Sequence, residues 1–286
     1  MTPLVRSFFH KPTFTAAHLV VDPATRQAAV IDPVLDFDAR SGRTATAFAD
    51  DILTAAAGEG ARIAWILETH AHADHPTAAA YLKEKTGAPV AIGAEITRVQ
   101  NVFKAIFNAA EMPADGSQFD RLFKDGERFA IGGLAAEVMA TPGHTPACVS
   151  YRIGDAVFVG DTLFMPDYGT ARTDFPGGDA RTLYRSIRRL LALPPATRMF
   201  LCHDYGAPGR PEFAWQTTVG AQRAANVHVH DGIDEAAFVA LRQARDRTLE
   251  MPALILPSIQ VNMRAGRMPP AEANGTVYLK LPVNLL

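Results

Sequence analysis

Six consecutive residues, His70-Ala71-His72-Ala73-Asp74-His75, hold three imidazoles and a carboxylate. Neutral imidazoles and carboxylates are the ligand set for zinc, iron or manganese. In a tight loop alternate residues can turn toward one point, so His70 and His72 can serve one ion, with Asp74 and His75 serving a neighbouring one. His144, Asp161 and His203 add an imidazole, a carboxylate able to bridge, and a further imidazole from three distant segments. These groups suffice for two metals, or for one metal with supporting hydrogen-bonding partners. Taken singly they are weak signals: a lone His-x-His is usually incidental, Asp161 could cap a helix, and His203 could be a satisfied polar residue. Together they outweigh those readings, because so many polar groups at one place are costly to leave unpaired.

The elements expected to carry these residues share one feature. Ile63–Leu67 is a short apolar run suited to a buried strand, and it stops at Glu68-Thr69-His70. Pro76 then suits the first turn of a helix over Thr77–Lys85 that ends at Gly87. A strand over Leu134–Ala140 stops before Gly143-His144-Thr145. Cys148–Ile153 and Ala156–Val159 flank a Gly154-Asp155 turn, and the second of them stops at Gly160-Asp161. Arg198–Cys202 stops at His203. Ligands at the carboxyl ends of four strands are what an α/β protein with a site over one sheet edge requires.

Elsewhere, strands are expected over Thr13–Val21 and Gln27–Ile31, and a loop from Asp36 runs into a helix at about Ala47–Ala57. Asp179–Leu193 reads as an amphipathic helix whose Arg181, Arg185, Arg188 and Arg189 form a solvated face, and Asp234–Glu250 as another such helix. Leu254–Val261 reads as a last strand or extended segment. The 286 residues are 48% hydrophobic and 20% charged, with a formal net charge of −2, which excludes dominant disorder and gives no electrostatic reason to expect nucleic acid. Two cysteines and no long apolar run point to a reducing compartment, with neither a spanning helix nor a secretory leader. A cytoplasmic protein is the expectation, and a homodimer is the oligomer that base rates favour.

Thr69-His70-Ala71-His72-Ala73-Asp74-His75, Gly143-His144-Thr145, Gly160-Asp161 and His203 resemble, in order and spacing over residues 13–205, the metallo-β-lactamase superfamily. The resemblance implies an α/β fold, an αβ/βα sandwich of two mixed sheets flanked by helices. Residues 1–205 would form the catalytic core, and 206–286 a helical extension packed on it within the same structural domain. Gly169-Thr170-Ala171-Arg172-Thr173-Asp174-Phe175, His203-Asp204-Tyr205 and Asn262-Met263-Arg264-Ala265-Gly266 look most like the persulfide dioxygenase branch. The longer stretches Asp36–Asp51 and Gly206–Pro211 resemble its longer bacterial type. That branch implies one Fe(II) per chain on His70, His144 and Asp161, with His72, Asp74, His75 and His203 around it. It also implies a pocket lined by Arg172, Asp174 and Tyr205. The substrates would be O₂ and glutathione persulfide or a similar small persulfide, in sulfide detoxification. Arg172, and more weakly Arg210 and Arg264, are candidates to meet the substrate's carboxylates. No appended sulfurtransferase domain is expected, because the last 80 residues lack cysteine.

Two alternatives remain open on the residues. One is a dinuclear zinc hydrolase of a glutathione thioester, similar to glyoxalase II, in which a metal-bound hydroxide attacks a carbonyl. The other is a non-catalytic metal-binding module. Cys202 reads as a small buried strand residue, and Cys148 is given no catalytic role. His228 and His230 could face one side of a strand, but no third ligand accompanies them. Phe103, Ile106 and Phe107 follow helical spacing and read as core.

Overall fold

The structure, a computed structural model, describes residues 2–285. The first half runs β1 (Leu4–His10), β2 (Thr15–Val21), β3 (Gln27–Ile31), β4 (Asp36–Asp38), β5 (Arg43–Ala45), α1 (Ala47–Gly58), β6 (Arg62–Leu67), α2 (Ala79–Thr86), β7 (Val90–Gly93), α3 (Ile96–Ile106), β8 (Arg121–Phe123), β9 (Arg128–Ile131) and β10 (Leu134–Ala140). The second half runs β11 (Val149–Ile153), β12 (Ala156–Phe158), a 3₁₀ turn (Gly160–Thr162), α4 (Ala180–Leu191), β13 (Arg198–Phe200), β14 (Gln216–Thr218), α5 (Val219–Ala225), α6 (Glu235–Asp246) and α7 (Ile255–Asn262).

Two sheets result. One has the order β1-β2-β3-β6-β7-β8, antiparallel up to β3 and parallel beyond it. The other has the order β14-β13-β12-β11-β10-β9, with only β12 and β13 parallel. Strand alternation sets the layers. On β2, Ala17, Leu19 and Val21 face the core under α1, α2, α3 and α7, while Val20 faces the core between the sheets. On β12, Ala156 and Phe158 face that inter-sheet core, and Val157 faces a third core with α4 and α6. The chain therefore adopts the αβ/βα sandwich of two mixed sheets. A register shift between Ala28 and Ala29 bulges β6. Strict alternation would put Ile63 and Ile66 on opposite faces, yet the bulge lets both reach the helix-side core.

Several elements differ from expectation. Leu4–His10 is an unanticipated edge strand; its half-exposed pattern carries no clear alternation. The stretch from Asp36 contains the hairpin β4–β5 before α1. The α2 helix starts at Ala79 rather than at Pro76. Leu254–Val261 is helical, not extended, and Pro257 sits in the first turn of α7, where its missing N–H costs nothing. His228 and His230 lie in a turn, not a strand. The arginines of α4 are more than a solvated face: Arg181 and Arg185 pair with Glu235, Arg188 donates to the carbonyls of Val229, His230 and Ile233, and Arg189 pairs with Asp125. Phe103 and Phe107 are core, with Ile106 packed at its edge. Among the described residues no helix is long and apolar enough to cross a membrane.

One buried histidine makes the fold acid-sensitive. His18 on β2 lies against Ser7 Oγ at 2.8 Å and donates through Nε2 to the carbonyl of Leu201 at 3.1 Å. Burial lowers it from 6.5 to about 4, against the opposing pull of the Leu201 carbonyl and Asp32. Its folded value lies below the unfolded one, so its contribution is present above pH 6.5 and is lost as pH falls toward 4. That contribution is about 3 kcal/mol. His18→Gln should therefore flatten the fall of urea stability between pH 6.5 and 4 by that order. An unchanged slope would show that His18 does not drive it.

Candidate metal centre

Four strand ends deliver the ligand candidates to one edge: β6 leads into His70–His75, β10 into His144, β12 into Asp161 and β13 into His203. A fifth, β3, adds Asp32, whose role the sequence left unseen. Asp32 accepts from Thr69 N at 2.7 Å and Thr69 Oγ1 at 2.9 Å, and its Oδ1 lies 3.1 Å from His72 Nε2. These bonds fold the chain after β6 back over the sheet edge, and the Thr69 carbonyl accepts from Val149 N at 2.9 Å on the second sheet. Gly160 must be glycine: its φ is +51°, and a Cβ there would run into the Thr69 side chain.

The hydrogen bonds fix each imidazole so that one nitrogen is tied and the other is bare. His144 Nδ1 donates to the carbonyl of Arg172 at 2.8 Å, and His203 Nδ1 lies 3.2 Å from the carbonyl of Phe14. A carbonyl can only accept, so the hydrogen is on Nδ1 and Nε2 keeps its lone pair. His70 Nδ1 lies 3.0 Å from Thr69 Oγ1, whose own hydrogen goes to Asp32, so His70 Nε2 is bare too. His72 is reversed: Nε2 faces Asp32 and Nδ1 is free. Among buried atoms without a hydrogen-bond partner are His70 Nε2, His72 Nδ1, His75 Nε2, His203 Nε2, Asp74 Oδ2 and Asp161 Oδ1. So many buried polar atoms without a hydrogen bond, crowded in one cluster, would be strongly unfavourable without a cation.

The cluster has two lobes. The donor atoms of His70, His144 and Asp161 lie within 4.8 Å of one another, and so do those of His72, Asp74, His75 and His203. Asp161 faces both lobes. Its Oδ2 is 3.9 Å from His70 Nε2 and 3.7 Å from His144 Nε2, while Oδ1 is 3.3 Å from His203 Nε2. Burial, reinforced by the neighbouring imidazoles, holds His70 well below its usual range, and burial takes His75 to about 4. Both are therefore neutral and able to ligate. Burial also disfavours the charged form of His72, but Asp32 and Glu68 overcome it and raise His72 well above its usual range. Glu68, also missed in the sequence, bonds Thr77 Oγ1 as well. Cys202 places its Sγ within 4.8 Å of donor atoms of Asp161 and His203, and burial together with Asp32, Asp161 and Asp74 pushes its thiol well up, so it stays protonated. Burial pushes Cys148 up to about 12.

Asp74, His144 and Asp161 form part of the wall of a cavity of 410 Å³ that Tyr168 and Tyr205 also line. Tyr205 stacks on the His203 ring at 5.4 Å. Arg172 reaches the cavity, but Asp174 grips its guanidinium with two bonds of 2.5 and 2.6 Å; Asp174 itself is not on the wall. Arg210 pairs with Asp204 and Asp167, and Arg264 with Glu111, both away from this cavity. Arg242 and Arg245 of α6 also line it, and neither stands in a motif that would mark it beforehand. Arg242 is buried and paired with Asp246 at 2.7 Å. Arg245 lies over the Tyr168 ring at 5.7 Å and has no carboxylate partner among the described residues. His228 is not a ligand: its Nδ1 accepts from Thr170 N at 3.1 Å.

Residues 10–203 match the metallo-beta-lactamase superfamily. A probable metallo-hydrolase of Burkholderia pseudomallei is 54% identical, covering 99% of this chain and 99% of its own length. A protein named glyoxylase B2 from Dictyostelium discoideum is 48% identical over 95% of this chain and 94% of its own. The human mitochondrial persulfide dioxygenase ETHE1 is 29% identical over 93% and 90%. The crystal structure of ETHE1 from Myxococcus xanthus is 31% identical and superposes with a TM-score of 0.73, covering 92% of this chain and 100% of that one.

Because Asp161 serves both lobes, Asp161→Ala should lower bound transition metal at least ten-fold, as measured by elemental analysis of purified protein, whereas His228→Ala should leave the metal content unchanged. Equal loss in both variants would place the centre wrongly.

Proposed function

Since the chain belongs to the metallo-beta-lactamase superfamily, we propose that it is a persulfide dioxygenase that holds one Fe(II) on His70, His144 and Asp161. The observation that carries this reading is the lobe of two bare imidazole nitrogens and one carboxylate in which His144 and Asp161 border the cavity. Two histidines and a carboxylate on one face leave positions open for other ligands. Bound there, Fe(II) supplies binding positions for a soft sulfur anion and O₂, and the redox chemistry that joins them. The likeness to the persulfide dioxygenases supports the same reading. In the overall reaction a persulfide, O₂ and water give sulfite, the free thiol and a proton. The outer sulfur loses four electrons to O₂, water provides sulfite's third oxygen, and the sulfur–sulfur bond breaks toward the thiol.

The chain's own groups set up this chemistry. The Arg172 carbonyl keeps the hydrogen of His144 on Nδ1, and Thr69 does the same for His70, so both present Nε2 without rearrangement. Phe14, Phe164, Tyr168 and Tyr205 on the cavity wall would limit water around the sulfur. Asp174 and Asp246 neutralise Arg172 and Arg242, so Arg245 is the cation left to meet a carboxylate of glutathione persulfide. It replaces Arg172, Arg210 and Arg264 as the candidate for that role.

A dinuclear zinc hydrolase of a glutathione thioester is the second reading. Asp161 facing both lobes favours it, as do the names of the two relatives at 54% and 48% identity. In that case His72, Asp74, His75 and His203 would hold a second ion, and the two ions together would supply the acidification of water that hydrolysis needs.

Metal analysis and an oxygen electrode separate the two. We expect about one iron per chain after anaerobic purification, and O₂ uptake with sulfite release on adding glutathione persulfide. About two zinc per chain, hydrolysis of a glutathione thioester and no O₂ uptake would establish the second reading instead. Under the first, Arg245→Gln should raise KM for glutathione persulfide about ten-fold with kcat nearly unchanged, as loss of one charged hydrogen bond would produce.

A further inference from the structure

The loop His70–Thr77 bears four of the seven candidate ligands, yet its own sequence does little to hold its shape. Ala71 and Ala73 carry no polar side chain, and the carbonyls of His72 and His75 are buried. Both carbonyls are met from the other end of the chain. Asn262, the last residue of α7, donates Nδ2–H to the carbonyl of His72 and to that of His75, each at 2.8 Å. Its Oδ1 accepts from Thr77 N, also at 2.8 Å. One buried amide thereby uses both donors and its acceptor on a single loop, at a sequence separation of 185 to 190 residues.

The surroundings show that this contact is built in. Ile255 and Ile259 of α7, and Met263 just after it, pack in the same core as Ala71, Ala73, Ala78 and Ala79. Gly266, with φ +83°, lets the chain pass so close that a Cβ would stand 2.8 Å from Ala80 N and 3.1 Å from the Thr77 carbonyl. Among the described residues the Asn262 side chain hydrogen-bonds only to backbone atoms of the loop, so its effect on the centre runs through that backbone.

We propose that Asn262 is a positioning residue for the metal centre: its amide clamps the His72–Thr77 backbone so that Asp74, His75 and the free nitrogen of His72 hold their directions before any cation arrives. The helices after residue 205 would then complete the centre rather than decorate it. This rests on the cluster being a metal centre: the clamp acts directly on the lobe of His72, Asp74, His75 and His203, and reaches the lobe of His70, His144 and Asp161 through the shared loop. Preorganisation of this kind raises affinity because binding no longer has to order the loop.

The test compares Asn262→Asp, which keeps the shape but turns both donors into an oxygen facing two carbonyls, with Asn262→Ser, which removes the donors and leaves room for water. Ser258→Ala, on the same helix, controls for general damage to α7. Chelator competition on the apo proteins with Co(II) should give affinities in the order wild type, Ser, Asp, with at least ten-fold loss for Asp. The Co(II) visible spectrum should change in both Asn262 variants and stay as wild type in Ser258→Ala. Amide exchange of residues 70–77 in the apo proteins should speed up only at Asn262 substitutions. If Asn262→Asp does not fold, the Ser variant decides. Wild-type affinity, spectrum and exchange in the Ser variant would overturn the proposal. Failure of the wild-type protein to bind Co(II) at all would instead overturn the metal centre itself.

Discussion

The constraint on which the architecture turns is the cost of taking imidazole and carboxylate lone pairs out of water with nothing to receive them. His70, His75 and His203 each bury an Nε2 without a hydrogen-bond partner, and Asp74 and Asp161 each bury an oxygen in the same state. Polar groups left this way oppose folding by several kcal/mol in sum. A fold keeps such a cluster when something with positive charge occupies the gap. The second nitrogen of each ring is tied by contrast, to Thr69, Arg172, Asp32, Thr15 or Phe14, and that division between tied and bare atoms separates a ligand shell from a mere polar core.

The sandwich exists to bring those atoms together. Each ligand follows a strand whose two faces are buried in different cores, so the strand ends have little freedom to drift. Asp32 then joins what the strands bring: it holds Thr69 and, through the hydroxyl, His70, and it faces His72 directly. On the cavity side the loop carrying Arg172 is held from α6, where Arg242 donates to the Thr170 carbonyl and Asp246 accepts from Thr173 N and Oγ1. The carbonyl that orients His144 is thus itself fixed by a buried ion pair, whose strength lies in hydrogen bonding on all sides.

Much of this is legible in the sequence, and the reason is local. A buried strand that stops at a histidine or aspartate announces both its end and its purpose, and β6, β10, β12 and β13 all did so. What stayed hidden needed the third dimension. Asp32 follows a strand as the ligands do, but a single aspartate before a proline resembles a turn. Asn262 stood inside a motif that pointed to a family without saying what its amide touches. Whether an arginine is free depends on which carboxylates surround it, which no sequence pattern reveals: Arg172 is held by Asp174, while Arg245 has no such partner among the described residues. The α7 segment misled because Ser258-Ile259-Gln260-Val261 alternates polar and apolar as a strand does, while Ile255 and Ile259 meet the core one helical turn apart.

The hairpin β4–β5 has a meaning of another kind. Its strands pair with each other and with neither sheet, and its tip is exposed. Residues could be inserted or lost there without sliding a register or moving a ligand, since the ends are pinned by Asp36 to His10 on one side and to the start of α1 on the other. Descendants of one ancestral chain can therefore differ in size at this spot while their chemistry stays the same, and a reporter tag grafted between Asp38 and Arg43 would ride outside the working parts.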